Sequence, residues 1–218
     1  LYTFVIMVLD KKVAEQTINY LTQINAIKLN TKNPFTWTSG IKSPIYCDNR
    51  LILSYPNIRK FVADKMSDIV KNIYGEDISI AGVATGAIAI GAMIAERLNL
   101  PYAYVRPEPK GHGLKNQIEG SIQEGTNVVV IEDLISTGKS SLNAINALKS
   151  EGYNVMGMLS IFSYNFQFAN KKFKDENILI NSLSDYNSLV EIIESKGSLD
   201  NLEISRLKKW RENPKTWS

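Results

Sequence analysis

The sequence predicts an α/β protein in which helices flank a mostly parallel β-sheet. Apolar strand-like runs alternate with amphipathic helical segments between residues 78 and 183, which is the pattern of parallel strands joined by helices. The length of 218 residues, 44% of them hydrophobic, fits one globular domain of this kind. Two sharp turns, after Ala84 and after Ile131, directly follow strand-like runs. Because ligands of such sheets bind at the carboxyl ends of strands, both turns are candidate binding positions.

The first quarter of the chain is predicted to hold one helix and an irregular, aromatic segment. Apolar residues with helical spacing predict a helix over residues 10–27. Residues 32–50, KNPFTWTSGIKSPIYCDNR, are rich in turn-forming and aromatic residues and predict loops and short strands. The apolar opening LYTFVIMVLD lacks the flanks of a signal peptide, and it is interpreted either as a short strand or as a segment preceding a natural start at Met7. The apolar positions of the helix are Val13, Ile18, Leu21 and Ile24.

The rest of the chain is predicted as follows. Strands are expected over residues 78–84, 102–106, 127–133, 154–164 and 177–183. Helices are expected over residues 57–74, after a turn within residues 85–100, over residues 140–151, and from about residues 185 and 201. The single domain then divides into an N-terminal helix and hood (1–55), a core (56–184) and C-terminal helices (185–218).

Composition and charge exclude some classes of protein. The net charge of +3 suits an anionic small substrate as well as weak nucleic-acid binding, and it decides neither. Cys47 is the only cysteine, so an internal disulfide is excluded and a cytoplasmic protein is expected. One cysteine and one histidine cannot form a zinc cluster, and we predict no metal site made by the protein alone. No apolar run approaches the roughly 20 residues of a membrane span, so no membrane partner is expected.

The stretch VVVIEDLISTGKSS, residues 128–141, carries the clearest chemical signal. Backbone amides and hydroxyls of residues 136–140 lead into a helix, which predicts a phosphate-binding turn. A nucleotide P-loop needs glycine where Asp133 stands, so a P-loop ATPase is not expected. Glu132 and Asp133 can accept hydrogen bonds from the vicinal hydroxyls of a sugar or from water around Mg²⁺. Together these features indicate a ribose 5-phosphate, the alternative being an acid pair that only caps the helix.

Residues 107–120 form a long polar segment with several cationic groups. Lys110, Lys115 and the one histidine, His112, lie in it, and Arg106 lies at its start. Loops of this length are commonly functional or disordered. Beside a phosphate turn we interpret it as a cationic lid that would stabilise a leaving diphosphate and exclude water. The alternative is a solvated charged loop with a surface histidine.

These motifs resemble those of a known enzyme family. VVVIEDLISTGKSS resembles the signature with which type I phosphoribosyltransferases bind 5-phosphoribosyl 1-diphosphate (PRPP). FTWTSGIKSPIYCDNR, YVRPEPKGHGLKNQIEG and LKKWRENPKTW resemble the orotate phosphoribosyltransferase family in the same chain order. The resemblance covers nearly all of residues 10–217. It implies the type I phosphoribosyltransferase fold, a Rossmann-like sheet with a small N-terminal hood.

The same resemblance implies an activity and its site residues. The implied reaction is a Mg²⁺-dependent transfer of 5-phosphoribosyl from PRPP to N1 of orotate, by a homodimer whose lid loop is shared between subunits. Asp133, Lys110 and His112 are the implied catalytic residues. Thr85 and Gly86 are implied at the diphosphate, and Ser136, Tyr46 and Lys42 at orotate. Some members carry lysine at the positions of Thr38 and Pro107, so those contacts are not carried over. The implied PRPP-binding residues are Arg106, Lys110, His112, Glu132, Asp133, Leu134, Ile135, Ser136, Thr137, Gly138, Lys139 and Ser140.

Two other functions share the phosphate turn. A PRPP-sensing regulator would need a nucleic-acid-binding element, but the N-terminal segment is too short for a winged-helix domain and basic residues are not concentrated on one element. We therefore expect no nucleic-acid partner. A purine phosphoribosyltransferase leaves the segments SPIYCDNR and KGHG without a purpose.

Overall fold

A computed structural model describes residues 7–37, 40–109 and 117–217. The described residues form strands and helices that alternate through the middle of the chain. The strands are β1 (Met7–Val8), β2 (Ile27–Leu29), β3 (Phe35–Thr36), β4 (Lys42–Ser43), β5 (Ile45–Cys47), β6 (Ser79–Val83), β7 (Tyr102–Val105), β8 (Ile118–Glu119), β9 (Asn127–Ile135), β10 (Asn154–Ser163) and β11 (Leu179–Asp185). The helices are α1 (Lys11–Gln23), α2 (Pro56–Tyr74), α3 (Ile88–Leu98), α4 (Lys139–Ser150), α5 (Gln167–Asp175), α6 (Tyr186–Ser195) and α7 (Asn201–Glu212), with a 3-10 helix at Asn49–Ser54.

Seven of these strands form the central sheet in the order β1-β11-β10-β9-β6-β7-β8. Every neighbouring pair is parallel except β7 and β8, which are antiparallel. The predicted α/β class with a mostly parallel sheet is therefore confirmed. The order reverses direction between β6 and β9, which run side by side at the centre, so their carboxyl ends lie next to each other.

The two central strands are buried on both faces. All five residues of β6 are buried, and residues 128–131 of β9 are 0% exposed. Strands in such a position need apolar side chains on both faces, which explains the uninterrupted run VVVI. The helices α3 and α4 both contact β6 and β9. Each follows a sharp turn at a strand end, so these helices fix the positions of the two turns.

Residues between α1 and α2 form the hood, which consists of two small antiparallel sheets and the 3-10 helix. β2 pairs with β5, and β3 pairs with β4. The Asp48 side chain begins the 3-10 helix by accepting a hydrogen bond from the backbone amide of Arg50, at 3.2 Å. Short strands and a 3-10 turn are what a segment rich in Pro, Gly, Asn and aromatic residues favours.

A group of aromatic side chains joins the hood to the sheet and to the C-terminal helix. This aromatic cluster consists of Trp37, Tyr164, Phe166, Tyr186 and Trp210, whose ring centroids lie 4.8–6.5 Å apart in the contacting pairs. Trp210 is 0% exposed, and its indole Nε1 donates to the backbone carbonyl of Lys42 at 2.8 Å. The last helix therefore holds strand β4 of the hood in place.

Three elements were not predicted, and one strand is longer than predicted. Helix α5 was not predicted, since only Ala169 and Phe173 are buried in a nine-residue, lysine-rich segment, too few for a helical period. Strand β8 and the 3-10 helix were also not predicted, because two-residue strands and a six-residue 3-10 helix leave no periodic pattern. Strand β9 continues to Ile135, two residues beyond the predicted end, because β10 continues to pair beside it.

The division of the chain into residues 1–55, 56–184 and 185–218 stays a prediction. Met7 and Val8 form an edge strand, in keeping with one of the two interpretations of the apolar opening. Among the described helices, none is both long enough and apolar enough to cross a membrane.

Trp210 provides a test of how the hood is held. We expect Trp210→Ala to lower the free energy of unfolding by roughly 3–5 kcal/mol, because it removes a fully buried indole and leaves the Lys42 carbonyl without its donor. Urea unfolding measures this loss. Leu202→Ala on the same helix is the control, since Leu202 is 61% exposed and should change stability by less than about 0.5 kcal/mol. Equal stability of the two variants would show that Trp210 does not hold the hood.

Candidate active site

Two acidic residues lie in the middle of the carboxyl edge of the sheet. Glu132 and Asp133 are part of strand β9, and Glu132 is only 3% exposed. The hydroxyl of Ser141 donates to Glu132 Oε2 at 2.9 Å, and the hydroxyl of Ser140 does so at 3.4 Å. Both serines belong to the first turn of α4, so the helix that follows the phosphate turn also holds the glutamate. This pair is called the acid pair below.

The environment of the acid pair disfavours its charge. Burial raises the pKa of Glu132 well above its usual range, and the neighbouring charge of Asp133 raises it further. Burial also raises the pKa of Asp133, while the nearby guanidinium of Arg50 offsets part of that effect. Two adjacent carboxylates, one buried and one half-buried, are stabilised by any partner that brings hydroxyl donors or positive charge. The site is thus suited to a sugar diol or to a hydrated cation.

The turn after β6 packs directly on Asp133. A Cβ atom added at Gly86 would overlap the carboxylate of Asp133, so a residue with a side chain at this position would displace it. The peptide bond between Ala84 and Thr85 is cis. Thr85 and Gly86 lie beside the acid pair, at the end of the neighbouring strand, and their predicted role at the diphosphate stays a prediction.

The predicted phosphate turn lies between β9 and α4. Gly138 has a φ of 75°, in the left-handed region that favours glycine, and α4 begins at the next residue, Lys139. Ser136 and Thr137 stand before it, and Ser140 lies in the first turn of the helix. The amides of a helix N-terminus point outwards and carry partial positive charge, which is the arrangement that binds phosphate.

Two cavities adjoin at Cys47 and Leu134, next to the acid pair. The first, the acid-pair cavity, has a volume of about 360 Å³, and the second, the aromatic cavity, about 440 Å³. Cys47 and Leu134 line both, so the cavities adjoin. Lining the acid-pair cavity are Cys47, Asp48, Arg50, Ala84, Thr85, Gly86, Pro107, Glu132, Asp133, Leu134 and Ser140. Lining the aromatic cavity are Thr36, Trp37, Tyr46, Cys47, Leu134, Ser136, Thr137 and Tyr164.

The aromatic cavity contains two of the three residues predicted to contact a planar base. Tyr46 is 40% exposed with its ring 5.8 Å from that of Phe35, and Ser136 lies at the boundary with the phosphate turn. Lys42 does not line the cavity itself. Its Nζ donates to Thr36 Oγ1 at 2.7 Å, and Thr36 is a lining residue, so the ammonium lies one side chain away.

The predicted lid is described only at its base. Strand β8 pairs with β7, and the backbone amide of Arg106 donates to the carbonyl of Gln117 at 2.8 Å, which closes the two ends of the loop. The Arg106 guanidinium donates to Glu119 Oε1 at 3.4 Å. Lys110 and His112 lie outside the described residues, as does Thr38. Their predicted roles stay predictions.

Several residues of the site were not singled out from the sequence. Asn49 is 1% exposed, and its side-chain Nδ2 donates to the backbone carbonyl of Asp133 at 2.6 Å. Its Oδ1 accepts from the thiol of Cys47 at 3.2 Å, so Asn49 links both cavities to the acid pair. Asp48, Arg50, Trp37 and Tyr164 also line the cavities. The polar run CDNR, directly after a strand, is the sequence feature that could have pointed to Asp48, Asn49 and Arg50.

Comparisons with known proteins agree with this geometry. A family model for the phosphoribosyl transferase domain matches residues 50–187. An orotate phosphoribosyltransferase of Bacteroides fragilis is 47% identical over 197 residues, covering 90% of this chain and 93% of that protein. Another from Bacillus cytotoxicus is 44% identical over 200 residues, covering 92% and 95%.

Solved structures show the same fold. Orotate phosphoribosyltransferase from Aeropyrum pernix matches with a TM-score of 0.69 and 30% identity, over 84% of this chain and 99% of that one. Leishmania donovani UMP synthase matches with a TM-score of 0.75 and 26% identity, over 92% of this chain and 42% of that one. The expected phosphoribosyltransferase fold is thereby confirmed.

The raised pKa of Glu132 has a consequence for stability. A carboxyl whose pKa is raised by folding contributes stability that is present in acid and lost as pH rises through the folded-state pKa. Glu132→Gln cannot ionise, and its amide can still donate to Asp133 while its oxygen accepts from Ser141. We therefore expect the melting temperature of Glu132→Gln at pH 8 to lie above that of the wild type. The expected difference is roughly 2–4 °C for each kcal/mol of destabilisation that the substitution removes. In acid, below the ordinary range of carboxylates, this advantage should vanish.

Melting temperatures across that pH range check the expectation. Exposed Glu96 gives the matched control, since Glu96→Gln should leave the melting temperature unchanged throughout. A Glu132→Gln protein that melts below the wild type at pH 8 would show that the ionised glutamate stabilises the fold.

Proposed function

The chain belongs to the orotate phosphoribosyltransferase family, and we propose that it transfers 5-phosphoribosyl from PRPP to N1 of orotate. The products are orotidine 5-phosphate and diphosphate, within pyrimidine biosynthesis. One observation carries the proposal most directly. The acid pair, the phosphate turn and the aromatic cavity adjoin one another, since Leu134 and Cys47 line both cavities and Ser136 and Thr137 of the turn line the aromatic one. A ribose diol, a 5-phosphate and a planar base are joined in one product molecule, which needs these three surfaces side by side.

Each part of the site has a role in this proposal. The hydroxyls and amides of residues 136–140 bind the 5-phosphate, with Leu134 and Ile135 leading into the turn. Glu132 and Asp133 accept hydrogen bonds from the ribose hydroxyls. The turn at Thr85 and Gly86, together with Arg106, Lys110 and His112 of the lid, binds the diphosphate. Tyr46 and Ser136 contact orotate, and Lys42 provides positive charge close to its carboxylate.

The chemistry requires little proton transfer from the protein. The bond from C1 of the ribose to the diphosphate oxygen breaks, and its electron pair leaves with the diphosphate. The new bond forms between C1 and N1 of orotate, which is already sufficiently anionic to need little general-base help. Because positive charge develops on the ribose ring, the negative acid pair stabilises it. Positioning and electrostatic stabilisation therefore supply most of the rate.

Magnesium is expected to enter with the substrate. Among residues 7–37, 40–109 and 117–217 no cluster of three or more His, Cys, Asp or Glu side chains could hold a metal ion. The acid pair nevertheless fits a hydrated cation, because its mutual repulsion and burial are relieved by nearby positive charge. Mg²⁺ would be held mainly by PRPP oxygens and water, with Glu132 and Asp133 accepting from that water. When bound, it neutralises charge on the diphosphate.

The remaining parts of the proposal concern assembly and location. We expect a homodimer in which the lid loop reaches the neighbouring subunit's site, and a cytoplasmic enzyme without a nucleic-acid partner. These rest on the family resemblance of the lid segment YVRPEPKGHGLKNQIEG and on the cysteine content of the chain.

The direct test is the ultraviolet absorbance of orotate with purified protein, PRPP and Mg²⁺, with and without EDTA. Loss of the orotate band that requires both PRPP and metal would establish the transfer. PRPP binding in calorimetry without any loss of the band would instead favour a regulator or another base. If neither binding nor transfer is seen, the assignment of the phosphate turn fails.

Two substitutions separate catalysis from folding. We expect Asp133→Asn and Lys110→Ala each to lower turnover on the order of 100-fold or more, because each removes charge that stabilises the transition state. The melting temperature of Asp133→Asn should not fall, since the pKa of Asp133 is raised and its charge does not favour folding. Near-normal turnover by either variant with an intact fold would contradict the assigned roles.

Gly86→Ala tests the contact between the diphosphate turn and the acid pair. A Cβ at this position would overlap the Asp133 carboxylate, so we expect turnover to fall on the order of 100-fold while the protein still folds. Steady-state kinetics and circular dichroism measure the two effects. Gly91→Ala in α3 is the control, because its Cβ would meet the ring of Tyr102 at 3.0 Å instead of Asp133. If Gly91→Ala lowers turnover equally, the effect belongs to packing of the helix.

A further inference from the structure

Arg50 is the one cationic side chain among the described residues that line the acid-pair cavity. The cavity also contains the turn at Thr85 and Gly86, the acid pair and Pro107. We propose that Arg50 binds the diphosphate of PRPP from the same subunit as the acid pair, and so supplies a resident positive charge that does not depend on the lid. This inference rests on the proposed function, because it names one more ligand of the same substrate.

The orientation of Arg50 is set by Asp48. Arg50 Nε lies 2.7 Å from Asp48 Oδ1, and Nη2 lies 2.8 Å from Oδ2, a bidentate pair. Asp48 is itself held at the start of the 3-10 helix by the backbone amide of Arg50. The pair therefore presents the guanidinium in one orientation and leaves Nη1 without a hydrogen bond in the described structure. A guanidinium whose Nε and Nη2 are hydrogen-bonded still has N–H groups that can donate to a phosphate oxygen.

Charge around the cavity explains why a resident cation is needed. The diphosphate is strongly anionic, and Glu132 and Asp133 lie in the same cavity. Without compensation, these carboxylates would repel the leaving group that the site must hold. Pro107 lines the cavity at the start of the lid and brings no charge. Arg50 lies close enough to Asp133 for its guanidinium to lower the pKa of that carboxyl, so the positive charge stands beside the acid pair in the same cavity.

Accessibility also suits Arg50 to this role. Its side chain is 59% exposed, so it reaches a ligand without rearrangement of the core, and an isolated pair with Asp48 at this exposure contributes little to stability. When the C1–O bond breaks, the electron pair remains on the diphosphate oxygen and the guanidinium stays protonated. Arg50 therefore acts through charge and hydrogen bonds, without transferring a proton.

Calorimetry with two probes tests this role. Mg²⁺ diphosphate reports on the diphosphate position, and ribose 5-phosphate reports on the acid pair and the phosphate turn. We expect Arg50→Gln to weaken diphosphate binding roughly 10–100-fold, as for the loss of a charge-assisted hydrogen bond, and to leave ribose 5-phosphate binding unchanged. Arg50→Lys, which keeps the charge but not the fork, should bind diphosphate with intermediate affinity.

Arg97→Gln is the matched control. Arg97 Nε pairs with Asp64 Oδ1 at 2.7 Å, and neither residue lines the cavity, so this variant loses the same charge outside the site. It should bind both probes like the wild type. Wild-type diphosphate affinity in Arg50→Gln, or equal weakening of both probes, would overturn the role of Arg50 at the diphosphate. If the wild type transfers ribose phosphate to orotate while Arg50→Gln still binds diphosphate normally, only this inference fails and the proposed function stands.

Discussion

The candidate site depends on two adjacent carboxylates in a central strand, Glu132 buried and Asp133 half-buried. Burial raises the pKa of both carboxyls, and the charge of Asp133 raises that of Glu132 further. Such a pair is unfavourable for folding alone and is retained where a ligand compensates for it. The surrounding elements limit its freedom. The serines of α4 donate to Glu132, Gly86 packs on the Asp133 carboxylate, and Asn49 donates to the Asp133 carbonyl.

The hood lines one side of the aromatic cavity at this edge of the sheet. The contacts that fasten it include the Asn49 amide on strand β9 and the Trp210 indole on the Lys42 carbonyl of strand β4. Between them lies the aromatic cavity, with Trp37 and Tyr46 from the hood and Tyr164 from the end of β10. Because the hood is tied to the strand that carries the acid pair, a base in this cavity is held at a fixed position relative to a ribose on that strand. Such fixed positioning is a large part of catalysis in a two-substrate transfer.

Much of the fold followed from patterns in the sequence. The runs that became β6, β7, β9 and β10 are largely apolar because both faces of the sheet are covered. Helices α1, α2 and α4 have clear periodicity and recognisable ends. The phosphate turn and the acid pair were evident because a serine- and glycine-rich turn after an apolar strand is locally encoded. Helix α5 and strand β8 were not predicted, since nine and two residues with few buried positions leave no periodic signal.

The sequence by itself determined the α/β class and the resemblance to a family, and it located the acid pair and the turn that is predicted to bind phosphate. These depend on neighbouring residues, whose spacing is visible along the chain. Only the tertiary structure decided which hood residues meet the acid pair. Asn49 and Asp133 are 84 positions apart, and Trp210 and Lys42 are 168 apart. Contacts over such separations depend on how sheets and helices pack in three dimensions, so the polar run CDNR alone did not show that Asn49 would bind the Asp133 carbonyl or that Arg50 would line the acid-pair cavity.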